Sequence, residues 1–210
     1  MSTGKNSLKT AVLCGMVVMF GCGEMPVEIS TESNIAQGNS ITGEGMSNPN
    51  PLVTQNWGDL PMGREWGSTA GIDIDPVDGN IVGYERCGAG NFGSGVPINC
   101  DTNPVNPIFK FDRITGEVLA NFGGGLMMTP HGIDVDGEGN VWVTDFAGNA
   151  EGTKGHQVHK FSSDGELLMS LGQPGQTGSD GAHFNQPNDV IVGLDGSVYV
   201  SDGHNGQGMI

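Results

Sequence analysis

One phrase recurs three times in register along this chain. It reads AGIDIDPVDGNIVGYE from Ala70 to Glu85, PHGIDVDGEGNVWVTD from Pro130 to Asp145 and PNDVIVGLDGSVYVSD from Pro187 to Asp202. Each copy has an alternating apolar run, an acidic or glycine-containing turn and a second alternating run that closes on an acid, the pattern of a β-hairpin. The copies lie about 60 residues apart, a period that belongs to stacked blades or arrays.

A second phrase fills the intervals: IFKFDRITGEVLANFG from Ile108 to Gly123 and VHKFSSDGELLMSLG from Val158 to Gly172, with turns at Thr115-Gly116 and Asp164-Gly165. One period therefore holds four strands, the content of a β-propeller blade. Glycine accounts for 37 of 210 residues, and beyond the N-terminus no window carries an apolar stripe at helical spacing. The expected fold is all-β, a propeller of four-stranded blades. From Trp57 to Ile210 there is room for about two and a half to three of them, the last ending in its third strand near Gly208-Met209-Ile210. An arc of that size exposes two apolar blade faces, so the expectation is either a piece of a longer protein or self-association.

Together with these repeats, the strings WGDLP, GREWGS, YERCG, HQVHKF, HFNQPNDV and VYVSDGH resemble NHL-type repeats, and in particular the bacterial relatives of peptidyl-α-hydroxyglycine α-amidating lyase, a six-bladed propeller family. The resemblance runs from about Trp57 to the end. It implies the fold more strongly than the activity, because one fold serves many functions.

The N-terminus reads as a targeting segment over residues 1–22. Lys5 and Lys9 precede the apolar run AVLCGMVVMF, which is short for a membrane span, and Gly21-Cys22 follows. A small residue before a cysteine at this place resembles a lipoprotein cleavage site, with Cys22 lipidated; a plain secretory signal is the other reading, since Met19 and Phe20 suit that cleavage box poorly. Either way the mature protein is exported, to the cell envelope, periplasm or exterior. The expectation is a helix over residues 7–20, then a polar, disordered linker over residues 23–56 that tethers the domain beginning at residue 57.

The net charge of −16, with 8 basic residues, makes nucleic acid and anionic lipid poor partners. Membrane contact is then expected only through a lipid anchor. The acidity reads first as solubility for a secreted domain, with attraction of cations, metal ions included, as the alternative.

Beyond the targeting segment the cysteines are Cys87 and Cys100, either side of the glycine-rich stretch GAGNFGSGVPIN. In an oxidising compartment the pair reads as a disulfide; a metal pair is the alternative, without CxxC spacing or a nearby histidine in its favour.

Three residues stand out for chemistry. His131, in Pro130-His131-Gly132, falls where the chain crosses between blades into an innermost strand, at one mouth of the channel. The resemblance implies a zinc ligand there, one of three imidazoles contributed by different blades; a water-bonded channel histidine is the plain alternative. Arg86, in YERCG, matches the family position that binds the substrate carboxylate, a task suited to a guanidinium, though an ordinary structural ion pair explains it as well. His204, in SDGHNG, stands where the family has a tyrosine acting as general base. An imidazole also takes a proton near neutrality, but the replacement puts the family chemistry in doubt. Asn185 and Asn205 occupy positions of a family disulfide.

The remaining signals are weaker. His156 and His159, three apart on an expected strand, point to opposite faces and make no joint metal site. His183 is expected to pack or cap a connecting loop. DIDPVDGN and DVDGEGN resemble acidic calcium loops but lack the distal glutamate, so they read as hairpin turns. The family's channel calcium would involve the backbone of Ile133.

Two functions follow as expectations. One is an exported zinc lyase that cleaves a C-terminal α-hydroxyglycine into an amide and glyoxylate, with this chain alone inactive for want of ligands. The other is a lipid-anchored, non-enzymatic propeller binding a peptide, protein or small ligand on its loop-rich face.

Overall fold

The structure is a computed structural model that describes residues 54–55, 57–88 and 99–203. Chain contacts separate residues 1–53 from the unit Thr54–Ile210. The expected targeting helix, Cys22 and most of the linker lie outside the described residues, as do His204, Asn205 and the third strand near Gly208.

Among the described residues ten strands form two four-stranded antiparallel sheets and one hairpin. Blade 1 comprises β1 (Thr69–Ile74), β2 (Ile81–Glu85), β3 (Ile108–Phe111) and β4 (Val118–Phe122); blade 2 comprises β5 (Pro130–Val135), β6 (Val141–Asp145), β7 (Gln157–Phe161) and β8 (Leu167–Leu171). β9 (Pro187–Val192) and β10 (Val198–Asp202) make the hairpin of blade 3. Strand order follows chain order in both sheets, the up-and-down arrangement of an NHL-type propeller blade. Among the described residues the one helical stretch is a 3-10 turn at Pro61–Gly63.

Local chemistry sets the turns. Between β5 and β6 the Asp136 carboxylate accepts the backbone N–H groups of Glu138 at 3.0 Å and Asn140 at 2.9 Å. Gly139 supplies the left-handed residue, φ 82°, that closes the loop. Asp75 does the same work between β1 and β2 through the N–H of Val77 at 2.8 Å. Both acids also anchor a lysine from the third strand of their blade: Lys110 lies 2.6 Å from Asp75, and Lys160 lies 3.3 Å from Asp136. The DIDPVDGN and DVDGEGN stretches are thus hairpin turns with their own internal bonds.

The blades are held to one another by their faces. Blades 1 and 2 share a core of Val82, Tyr84, Ile108, Phe122, Ile133, Val135, Val143 and Phe161. Trp142 and Val158 of blade 2 meet Val190, Val192, Val198 and Val200 of blade 3. Since side chains alternate along a strand, the other face of blade 3 carries Ile191 and Tyr199, paired across the hairpin and 59% and 52% exposed. At the opposite end Ile72 and Ile74 of β1 are 67% and 60% exposed.

One local expectation is corrected. His156 is not on a strand: it precedes β7 in the left-handed region, φ 55°, where its Nε2 accepts the Gly148 N–H at 3.0 Å. The turn side chain replaces a strand residue because Gly155 and His156 close a loop back onto Ala147 and Gly148.

Candidate functional site on the inner strands

β1, β5 and β9, the first strand of each blade, run side by side. They line a cleft of about 460 Å³ formed by Ala70, Gly71, Ile72, His131, Gly132, Ile133, Asn188 and Asp189. Such close approach depends on two glycines. A Cβ on Gly71 would lie 2.7 Å from the Ile133 side chain, and one on Gly132 would lie 2.5 Å from the Asp189 carboxylate and 2.6 Å from its Cα.

Hydrogen bonds repeat across the blade junctions. Asp73 of β1 accepts the N–H of Val135 at 2.7 Å, and Asp134 of β5 accepts that of Val192 at 3.0 Å. Asp134 is raised above the usual carboxylate range, by burial first and then by the charges of Asp73, Asp136 and Asp189. The equivalent residue of β9 is Ile191, so the device stops at the third blade. These acceptors were missed in the sequence, although Gly-Ile-Asp at 71–73 and at 132–134 was the visible signal.

A second set of acids fastens each inner strand to its neighbour. Glu85, Asp145 and Asp202 end the second strand of each blade. Asp145 accepts the N–H groups of Met128 at 2.9 Å and Thr129 at 2.6 Å, and Asp202 accepts that of Asn185 at 2.7 Å. Glu85 takes the N–H of Gly88 at 2.7 Å and pairs with Arg64. Asp145 is fully buried, and burial pushes its carboxyl up to about 7 against the opposing effect of those N–H donors.

His131 lies on β5, part-buried in the cleft. Its Nδ1 is 2.6 Å from the carbonyl oxygen of Asn188 on β9, and its ring packs on Phe146 with centroids 5.3 Å apart. Arg86 follows β2 and reaches the next blade: its Nε donates to the carbonyl of Pro130, the residue before His131, at 2.9 Å. Burial lowers the guanidinium below its ordinary range, and Tyr84 acts in the other direction. Arg86 thus reaches from blade 1 to the residue before His131, while His131 and Ile133 line the cleft. Cys87 and Cys100 are bonded to each other, Cα atoms 5.2 Å apart, next to Arg86 and buried in the core between blades 1 and 2.

The other described histidines are occupied elsewhere. His159, 1% exposed, shares a hydrogen with Ser170 Oγ at 2.8 Å, and burial holds it down at about 4. His183 bonds Asp180 at 2.6 Å within its own loop. Among the described residues no three His, Cys, Asp or Glu side chains gather as a metal-binding group.

No family model matches the chain. A Caenorhabditis elegans protein described as a probable peptidyl-alpha-hydroxyglycine alpha-amidating lyase is 29% identical over 194 residues, 88% of this chain and 49% of its own length. Rattus norvegicus peptidylglycine alpha-amidating monooxygenase is 36% identical over 168 residues, 78% of this chain and 14% of that protein. Mus musculus NHL repeat-containing protein 3 is 40% identical over 83 residues, 37% of this chain and 23% of its own. The chain thus spans about half the length of the nematode relative and less of the others. The chain is similar over most of its length to peptidyl-α-hydroxyglycine α-amidating lyases and in part to an NHL repeat-containing protein, and its sheets are NHL-type β-propeller blades.

Proposed function

We propose that these blades belong to an exported propeller of the peptidyl-α-hydroxyglycine lyase kind, and that this chain binds the C-terminal α-hydroxyglycine of a peptide. The observation that supports the reading is the hydrogen bond from Arg86 Nε of blade 1 to the carbonyl of Pro130, the residue next to His131 in blade 2. A planar guanidinium is suited to a peptide's terminal carboxylate.

The group such a site would hold is zinc, with His131 as one ligand. His131 fits that role chemically, because Nδ1 must donate to the Asn188 carbonyl and Nε2 is then the lone-pair nitrogen. Zinc, when bound, polarises the hydroxyl of the substrate. A catalytic zinc takes three protein ligands, however. Of the five histidines in the sequence, His156, His159 and His183 are engaged away from the cleft. That leaves His131 and, outside the described residues, His204. The chain's own part in the reaction is therefore binding and orientation, with Arg86 on the carboxylate and His131 near the hydroxyl. A calcium ion at the backbone of Ile133 belongs to the same proposal.

The lack of a three-ligand group among the described residues favours a second reading, a lipid-anchored propeller that binds a protein or small ligand without turnover. Binding of two peptides separates them, one ending in α-hydroxyglycine and one ending in an amide. The full chain is expected to prefer the first, with the preference lost in Arg86→Gln; equal binding of both would hand the cleft to the second reading. Loss of lipid labelling in Cys22→Ala would support the anchor, and a labelled variant would remove it.

A further inference from the structure

We infer that the outer face of blade 3 docks on the outer face of blade 1 of a second copy of this chain, with Tyr199 entering a pocket walled by Trp57, Trp66 and Phe111. The contact needs neither a metal nor a ligand.

The two junctions inside the chain show what such faces exchange. On the giving blade each is built from one cross-strand pair: Asp73 opposite Val82 in blade 1, and Asp134 opposite Trp142 in blade 2. The apolar member packs on two pairs of the next blade. Val82 shares its core with Ile133, Val135, Val141 and Val143, and Trp142 shares its core with Val190, Val192, Val198 and Val200. The acid takes an inner-strand N–H, that of Val135 or of Val192.

In blade 3 the giving pair is Ile191 opposite Tyr199, both exposed. The receiving pairs of blade 1 are Ile72 opposite Gly83 and Ile74 opposite Ile81, with Ile72 and Ile74 exposed. Two details match these faces to each other. The receiving N–H would be that of Ile74, and Asp73 Oδ1 of its own strand already accepts it at 2.8 Å. The giving face accordingly presents Ile191 where the other blades present an acid. Gly83, two residues before the acid that closes its strand, stands where blades 2 and 3 have Val143 and Val200. Its missing side chain leaves a pocket of about 220 Å³ between Trp57, Trp66, Ile72, Ile81 and Phe111. A tyrosine ring suits apolar walls, and its hydroxyl keeps its water at the mouth. Asp189 takes the place of Gly71 and Gly132, whose close approach to the next strand leaves no room for a Cβ. The inner strands of this junction therefore stand further apart, and the contact centres on Tyr199.

Giving and receiving surfaces differ, so the copies meet head to tail. One blade face is small for an interface, which places the association in the micromolar range or weaker. Below it the chain is single.

Sedimentation of the full chain over a concentration series tests the contact. Each copy carries a net charge of −16, so high salt is used to screen repulsion. The mass is expected to grow with concentration, and a single copy throughout would overturn the docking. Tyr199→Arg and Ile72→Arg should each weaken association about tenfold or more. Ile191→Arg and Ile74→Arg replace either variant that fails to keep the wild-type thermal midpoint. Association retained in Tyr199→Arg would mean that the blade 3 face is not used, and association retained in Ile72→Arg would say the same of blade 1. Mixing the two deficient variants should restore pairing, because the intact Tyr199 of one meets the intact Ile72 of the other. A mixture that stays single would refute the head-to-tail contact.

Discussion

Asp134 on β5 takes the backbone N–H of Val192 on β9 at 3.0 Å, and one blade earlier Asp73 takes that of Val135 at 2.7 Å. The inner strands are joined by these side chains, because they belong to separate sheets and share no backbone ladder. Removing such an acceptor strands a part-buried N–H, which costs about 1–3 kcal/mol. Asp134→Ala is expected to lower the stability of the folded unit by that amount, with Asp73→Ala similar. Denaturant midpoints at constant m-value would check this, and a change below about 0.5 kcal/mol for both would count against the device.

The two inner-strand glycines should respond differently to a methyl group. At Gly71 the first obstacle is a side-chain methyl of Ile133, which can shift; at Gly132 the obstacles include the backbone of Asn188 and Asp189. Overpacking of this kind costs about 1–3 kcal/mol. Gly71→Ala is expected near the low end and Gly132→Ala at or above the high end. Equal midpoints for the two variants would contradict the argument.

Much of the fold was legible because hairpins leave local marks. Alternation fixes which residues share a face, and turns such as Asp136 with Gly139 are read directly from DGEGN. What joins the blades was harder to see. Asp73 and Asp134 look like turn acids until two repeats are laid side by side in space, and Asn188 acts on His131 through a carbonyl that every residue possesses. His156 was misplaced for a similar reason, since nothing in KGHQ marks a left-handed histidine. Arg86 and His131 stand out by resemblance, and the bond from Arg86 to Pro130, the residue before His131, is visible only in the structure.

The disulfide between Cys87 and Cys100 closes a short loop, with the cysteines 13 residues apart, and both are buried in the core between blades 1 and 2. Restricting an unfolded loop of this size is worth about 3 kcal/mol. Reduction, or Cys87→Ser with Cys100→Ser, should lower stability by about that amount. Thermal unfolding with and without reductant measures it, and an unchanged midpoint would show that the bond restrains little.

Two buried groups give the folded unit opposite responses to acid. Burial pushes Asp145 up to about 7 and holds His159 down at about 4. Unfolded, they titrate near 3.9 and 6.5. The raised acid contributes stability that is complete below about pH 3.9 and lost as pH rises through 7. The depressed histidine contributes stability that is present above about 6.5 and lost as pH falls toward 4. From about pH 4 to 6.5 the two oppose each other, each with a slope of up to about 1.4 kcal/mol per pH unit. His159→Phe should therefore make stability fall more steeply, or rise less, with increasing pH than in the wild type. Asp145→Asn should tilt it the other way. Parallel stability profiles for the wild type and both variants would rule out these assignments.

The last expectation concerns turnover. Among the described residues His131 is the one histidine lining the cleft, and His204 can add at most a second imidazole. Three ligands and an open position are needed before a zinc ion can bind tightly and still meet a substrate hydroxyl. The cleft is also open to solvent along β1, where Ile72 and Ile74 are largely exposed. Water there weakens the electrostatic effects on which a metal and a base depend. The 210-residue chain by itself should release no glyoxylate from an α-hydroxyglycine peptide and should hold zinc no more tightly than micromolar, with His131→Ala removing only that weak uptake. Glyoxylate production that disappears in His131→Ala would mean that copies of the chain complete the site between them, and the stoichiometry of zinc in the active species would then give the number of copies.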